Sequence, residues 1–171
     1  PKTPKPRNSE DCKIMATILL DSGAHTLKGT VASGDFDMKT EYNGYIRSKG
    51  GNIISLGNRA LADCSEGGFD SRSHAIAFPQ SRGLLQDSNI QSELWGRLFT
   101  QLIPDADVLE ATRQSKLLMT LQPNQPEMIV DRYCQMIFED FGFQEAAFLT
   151  PHSAALNTVA GGTCHLVLDC G

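Results

Sequence analysis

Two stretches constrain this chain more than any others. Ile18-Leu19-Leu20-Asp21-Ser22-Gly23 lies near its beginning and Leu166-Val167-Leu168-Asp169-Cys170-Gly171 at its end. Each is an apolar run followed by Asp, one small residue and Gly. A run of that length, bounded by a turn signal, reads as a buried strand. The Asp-x-Gly puts a carboxylate and a closely approachable backbone at the strand's tip. Alone, such a loop reads first as a plain turn, where Asp and Gly are common. Two loops facing each other are one way to hold a polyphosphate and its metal.

The 171 residues are enough for one domain with a sizeable core. The net charge of -5 argues against a dedicated nucleic-acid binder. Its basic part is concentrated at Lys2, Lys5 and Arg7, within a Pro-rich stretch that reads as a solvated tail. Five cysteines, an odd number with no C-x-x-C pair, indicate neither a disulfide framework nor a zinc site. Reduced, intracellular surroundings fit them best. No run approaches the ~20 apolar residues of a membrane span.

Along the chain, residues 1–13 read as a disordered tail. Ile14 to Leu20 forms a first strand, Thr26 to Val31 its hairpin partner, and Lys39 to Ile46 a third strand. Residues 47–82 are densely punctuated by Gly, and only Ile53-Ile54 and His74 to Phe78 look like strand fragments. That block reads as an irregular small subdomain or insertion. A helix follows Asp87 or Ser88 as cap, with Ile90, Leu94, Trp95, Leu98, Phe99 and Leu102 on one face and Pro104 ending it. Lys116 to Leu121 is a strand. Pro126 opens a helix that runs to Phe141 and stops at Gly142. Ala146 to Leu149 reads as a short buried strand, Pro151 to Val159 as a short helix, and Thr163 to Leu168 as the final strand. The alternation predicts α/β architecture with a mixed sheet.

The chemical candidates are few. Lys28 faces either a phosphate or solvent. His25, His74, His152 and His165 show no metal spacing. His152 beside Ser153 is no dyad, because adjacent helical residues do not face each other. No Walker loop, nucleophile elbow or dinucleotide fingerprint is present.

In order, these pieces resemble the first half of an actin-related protein. Asp21, Gly23 and Lys28 match the first phosphate loop of the actin fold. Leu117 to Asn124 resembles actin's "LLTEAPLN", and Met136 to Phe141 its "QIMFETFN". The spacing from His152 to Asp169 fits the second phosphate loop. Phe141-Gly142-Phe143-Gln144, the His152 to Leu156 run and Tyr45 to Lys49 are most similar to the actin-related protein 6 class.

The resemblance implies an actin-like (ribonuclease H-like) first half over residues 14–151, with a mixed five-stranded sheet and flanking helices. Residues 152–171 would be a linking helix and one orphan strand of a truncated second half. It implies a non-catalytic scaffold subunit of a Swr-class chromatin-remodelling complex, which carries out variant histone exchange. Location would be nuclear, with cytoplasm as a second place. Partners would be protein subunits of that complex, with nucleosome or histones met through it, and neither membrane nor direct sequence-specific nucleic-acid binding. Asp21, Gly23, Lys28, Asp169 and Gly171 are nucleotide contacts by resemblance, of a degenerate kind, with no catalytic residue and no metal. Ala24 stands where actin has a phosphate-contacting Ser, His25 where it has a loop Gly, and His152 where a Gln positions water. No cofactor is expected for this fragment; ATP with a divalent metal belongs to a full-length form. The rival implication is an ATP-binding ATPase or phosphotransferase of the actin, sugar-kinase and heat-shock superfamily. The isolated chain is expected to expose apolar surface and to lack a high-affinity nucleotide site.

Overall fold

The alternation of apolar residues in the first strand explains the sheet it starts. A computed structural model describes residues 16–32, 36–104, 106–159 and 166–168. In β1 (Thr17–Ser22) Ile18 and Leu20 are buried while Leu19 and Asp21 are half-buried, as a pleat with one packed face requires. β2 (Thr26–Val31) returns antiparallel, placing Lys28 opposite Asp21, and β3 (Lys39–Tyr42) extends the meander. Later in the chain, β9 (Lys116–Thr120) and β10 (Glu145–Leu149) join parallel to β1. The sheet order is β10-β9-β1-β2-β3, a mixed five-stranded sheet.

One face of this sheet is packed. The helix α2 (Ser88–Leu102) buries Ile90, Leu94, Trp95, Leu98 and Phe99. Its N-terminus is capped by Asp87, whose carboxylate accepts from the backbone N–H groups of Asn89 and Ile90. Gly29 lets the helix approach: a Cβ there would lie 2.9 Å from a Leu102 methyl. α4 (Glu127–Gln135) continues into a π-helical turn (Met136–Asp140). Tyr133, Met136 and Ile137 from this pair, with Phe141 and Phe143, complete the core. Between α2 and β9, α3 (Val108–Thr112) is capped by Asp107. The sequence pattern misses α3, which is only five residues long.

The block over 47–82 is more regular than its glycines suggest. What reads as one third strand is divided at Asn43-Gly44. β3 stays in the large sheet, while β4 (Tyr45–Ser48) starts a second one with β5 (Ile53–Leu56) and β6 (His74–Ala77), in the order β5-β4-β6. β5 carries a bulge: Arg47 pairs with Ile53 and Ile46 with Ser55, so Ile54 has no opposite residue. Between β5 and β6 runs α1 (Gly57–Ser65), where the sequence offers a turn signal, Gly57-Asn58. Its first turn is fixed from far away. The buried Glu41 carboxylate accepts from the Asn58 backbone N–H at 2.8 Å and from its side-chain amide at 2.8 Å. A negative group at a helix N-terminus is favourable. Gly57 sits at φ +61, and a Cβ there would fall 1.9 Å from the Glu41 Oε1. β7 (Gln80–Ser81) and β8 (Leu84–Leu85) form a small hairpin leading to α2.

Several boundaries differ from the sequence reading. The first strand runs Thr17–Ser22, because its hairpin register with β2 extends to Ser22. Residues 1–15 lie outside the described residues. β10 is an edge strand with exposed Glu145 and Ala147, where the apolar run suggested full burial. α5 (Pro151–Leu156) is shorter than the predicted helix. Of the predicted last strand only residues 166–168 are described; they form no strand pairing among the described residues, and Leu166 is 83% exposed. The Gly161-Gly162 turn, Asp169 and Gly171 lie outside the described residues.

Candidate functional site

Hairpin register brings the first candidates together. Asp21 and Lys28 are cross-strand partners, and their charged groups lie 3.6 Å apart on the half-exposed side of the sheet. The parallel partner strand adds Thr120, whose hydroxyl donates to the Asp21 Oδ1 at 2.6 Å. Asp21 is thereby oriented, with Lys28 on one carboxylate oxygen and Thr120 on the other. Nothing in the sequence pairs Asp21 with Thr120; that follows from the β1–β9 register.

The loop after Asp21 is held from beneath by a buried polar network. The Ser22 hydroxyl accepts from the Gln80 amide at 2.9 Å and from the Trp95 indole N–H at 3.4 Å. The Gln80 amide also donates to Gln91 Oε1 at 3.0 Å, and the Gln91 amide donates to Asn43 Oδ1 at 3.1 Å. Asn43 in turn donates to the Gly23 carbonyl at 2.8 Å. Asn43 and Gln91 are fully buried, so their pairing avoids the cost of buried unsatisfied amides. One sequence signal was available: Gln91 precedes Leu94, Trp95 and Leu98 at helical spacing, which places an amide on the apolar stripe of α2. Gly23 is needed where it is, since a Cβ would lie 2.8 Å from the Thr26 carbonyl oxygen.

Ala24 and His25 complete the loop, both exposed. The His25 ring stacks on Phe78 with centroids 4.7 Å apart and planes at 15°, and Tyr42 meets both rings edge-on. The tyrosine phenol is pushed up from its ordinary value, first by burial and then by the neighbouring Cys64. His152 occupies the second position of α5, half-buried, with no hydrogen bond or ion pair among the described residues. The start of α5 is fixed by the Thr150 hydroxyl, which accepts from the Ser153 backbone N–H at 3.3 Å.

Two hollows border these residues. A cavity of about 40 Å³ lies under the loop, lined by Asp21, Ser22, Gly23, Thr120, Gln125, Tyr133 and Pro151 among others. The Gln125 Oε1 is buried without a protein partner. Burial pushes the Tyr133 phenol up to about 12. A larger groove of about 470 Å³ runs along the unpacked face of the sheet over Leu19, Asp21, Lys28, Thr30, Leu118 and Leu149.

A phosphate and its metal can be tested against this geometry. Lys28 carries the charge a phosphate would need, and in this structure it faces the Asp21 carboxylate. Of the carboxylates matched by resemblance, only Asp21 is described, and both its oxygens are engaged. Among the described residues no group of three or more His, Cys, Asp or Glu could hold a metal ion. Protein-held metal therefore does not fit the described residues. No helix of the described residues is long and apolar enough to cross a membrane.

Comparison with known proteins places this arrangement. The family model described as Actin matches residues 12–171. Actin-related protein 6 of Arabidopsis thaliana is 32% identical over 112 residues, spanning 60% of this chain and 25% of that protein. Actin-like protein ARP6 of Cryptococcus neoformans is 26% identical over 161 residues, spanning 90% of this chain and 31% of the relative. The matches thus span about a quarter to a third of these relatives' length. Among solved structures, MreB 5 of Spiroplasma citri bound to AMPPNP superposes with a TM-score of 0.61 at 15% identity, covering 79% of this chain and 38% of that one. The same protein bound to ADP gives 0.58.

Proposed function

The chain belongs to the actin family, and from that premise we propose that it serves as a scaffold rather than a catalyst, as part of an actin-related subunit of a Swr-class chromatin-remodelling complex. The observation that carries the scaffold reading is the first loop. Its Ser22 hydroxyl accepts from Gln80 and Trp95 and its Gly23 carbonyl from Asn43, so the loop is tied to the body of the fold. The next two positions offer a methyl group and an imidazole stacked on Phe78. Among the described residues no carboxylate bonds His152, as one would orient a general base. The remodeller assignment draws on the two ARP6-named relatives.

In this reading the protein is nuclear, its partners are other subunits of the complex, and it meets histones through them. Asp21, Gly23 and Lys28 are then inherited phosphate contacts, and Asp169 and Gly171 their counterparts on the second loop. Affinity capture of a full-length form from nuclear extract, followed by mass spectrometry, tests this. Recovery of remodeller subunits is the expected result; their absence would remove the proposal.

One observation favours the rival reading. Asp21 is oriented by Thr120 and paired with Lys28, which is the polar half of a phosphate clamp. An assay of magnesium-ATP hydrolysis by a full-length form separates the two: the scaffold reading expects no turnover above background, and clear turnover would move the assignment to an ATP-using enzyme.

A further inference from the structure

We propose that the outer face of α4 and of the π-helical turn after it is a docking surface for a basic segment of a partner protein, one that carries apolar side chains between its cations. Helical spacing defines the face. Glu127, Asp131, Cys134 and Phe138 follow one another at i, i+4, i+7 and i+11, which puts them on one stripe. The opposite side of the same helix pair is buried in the core through Tyr133, Met136 and Ile137. Phe138 is thereby turned outward and is 45% exposed. It sits in the middle of the π-helical turn, where the Phe141 N–H reaches back to the Met136 carbonyl. Such turns recur at functional sites. Around Phe138 lies a shallow hollow of about 360 Å³, lined also by Asp131, Cys134, Gln135 and Glu139.

One exposed aromatic on a helix is ordinary. The charges around this one are not. Glu127, Asp131 and Glu139 lie along and beside the stripe, and none has an ion pair among the described residues. The described ion pairs lie elsewhere, on Asp21, Asp37, Asp63, Glu93 and Glu145. Arg132 is the one cation of this helix pair, and it turns to neutral groups, donating to the Ser88 hydroxyl at 2.9 Å and to the Gln135 side-chain oxygen. Glu139 accepts only from the Gln135 amide, at 3.0 Å, and the Asp131 carboxylate has no partner among the described residues. The face presents an uncompensated negative rim around an apolar centre.

Charge complementarity selects the occupant. Nucleic-acid backbones and anionic membrane surfaces are repelled by such a rim. A polypeptide bearing Lys or Arg is attracted, and the exposed carboxylates steer its approach and set its register. They add little affinity each, because exposed ion pairs are weak. Phe138 supplies the contact that excludes water, since aromatic anchors carry much of an interface's energy. This inference depends neither on nucleotide binding nor on the remodeller assignment.

Fluorescence anisotropy of a labelled peptide of alternating lysine and leucine, titrated with the 171-residue chain, tests it. Saturable binding is expected, weakening as salt is raised. Phe138→Ala should weaken it by about tenfold, as loss of a central aromatic does. Asp131→Asn, which breaks no side-chain contact among the described residues, should weaken it by about two- to fivefold. That variant decides the matter if circular dichroism shows that Phe138→Ala disturbs the helix. Ile54→Ala, at an exposed apolar residue of the small sheet, should leave binding unchanged. Serine in place of the peptide's leucines should weaken binding, and glutamate in place of its lysines should abolish it. The proposal is overturned if the peptide does not bind saturably, if binding keeps its wild-type strength in Asp131→Asn or in a folded Phe138→Ala, if it is indifferent to either peptide change, or if Ile54→Ala weakens it equally. It is overturned too if the chain self-associates in sedimentation and Phe138→Ala abolishes that, because the occupant is then a second copy.

Discussion

The two faces of the five-stranded sheet are built from the same strands and treated in opposite ways. On one, Ile18, Leu20, Leu27, Leu117 and Met119 are buried under α2 and α4. On the other, Leu19, Leu118 and Leu149 are only half-buried, with Asp21, Lys28 and Thr120 among them, beside a groove of about 470 Å³. The alternation is strict, so it is a property of the strands and not of the loops. Stability and site are thereby separated. The packed face folds the chain, and the open face, apolar but carrying an oriented carboxylate and a lysine, is where contacts from elsewhere can be made.

The separation can be broken in four ways. The largest effect belongs to Trp95, fully buried and stacked on Tyr133 at 5.9 Å. Trp95→Ala should cost ~3–5 kcal/mol in urea unfolding, whereas Leu118→Ala, on the open face, should cost under about 1. Comparable losses for the two would mean that the faces do not differ in the way burial says.

Next comes Gln91, whose removal leaves the Asn43 carbonyl oxygen and one donor of Gln80 without their partner. Gln91→Leu should cost about 1–3 kcal/mol in the same measurement. A neutral result would mean that the loop is held by packing alone.

A third effect is pH dependence on the packed face. Tyr133 is raised from 10.0 to about 12 by burial, so the folded state holds the neutral phenol. The unfolded chain releases that proton first, and linkage makes stability fall as pH rises from about 10 to about 12. Spectrophotometric titration of the folded chain should lose its latest-titrating tyrosine in Tyr133→Phe. Smallest of all is Lys28→Ala. The pair with Asp21 is about half exposed, so its loss should change stability by less than about 1 kcal/mol. A large loss would make the ion pair part of the fold and not of the site.

How much of this was readable from sequence depends on how local the cause is. The α2 helix is written in its own residues: an Asp87 cap and an apolar stripe at helical spacing. β1, its Asp-x-Gly end and the hairpin to Lys28 are also local. By contrast α1 begins at a Gly-Asn pair that reads as a turn, because its N-terminus is stabilised by Glu41, 16 positions before the first helical residue. The division of the third strand at Asn43-Gly44 is likewise non-local, since Asn43 is held by Gly23 and Gln91. For the site, Asp21, Gly23 and Lys28 were named by resemblance alone, and the structure brings Asp21 and Lys28 together. Thr120 and Phe78 were not found, because a parallel register and a ring stack leave no trace in spacing. Asp169 and Gly171 fall outside the described residues.

The Gly57–Glu41 contact has a consequence for how such a chain can vary. With φ at +61 and a Cβ placed 1.9 Å from the Glu41 carboxylate, residue 57 has no single-step exit. A side chain there needs both a left-handed backbone and a shorter residue at 41, yet shortening Glu41 alone strips α1 of its anchor. The two positions form one heritable unit, with a fitness valley on either side. A saturation library at position 57 should return glycine nearly alone. A paired library over 41 and 57 should recover escapes only where both have changed.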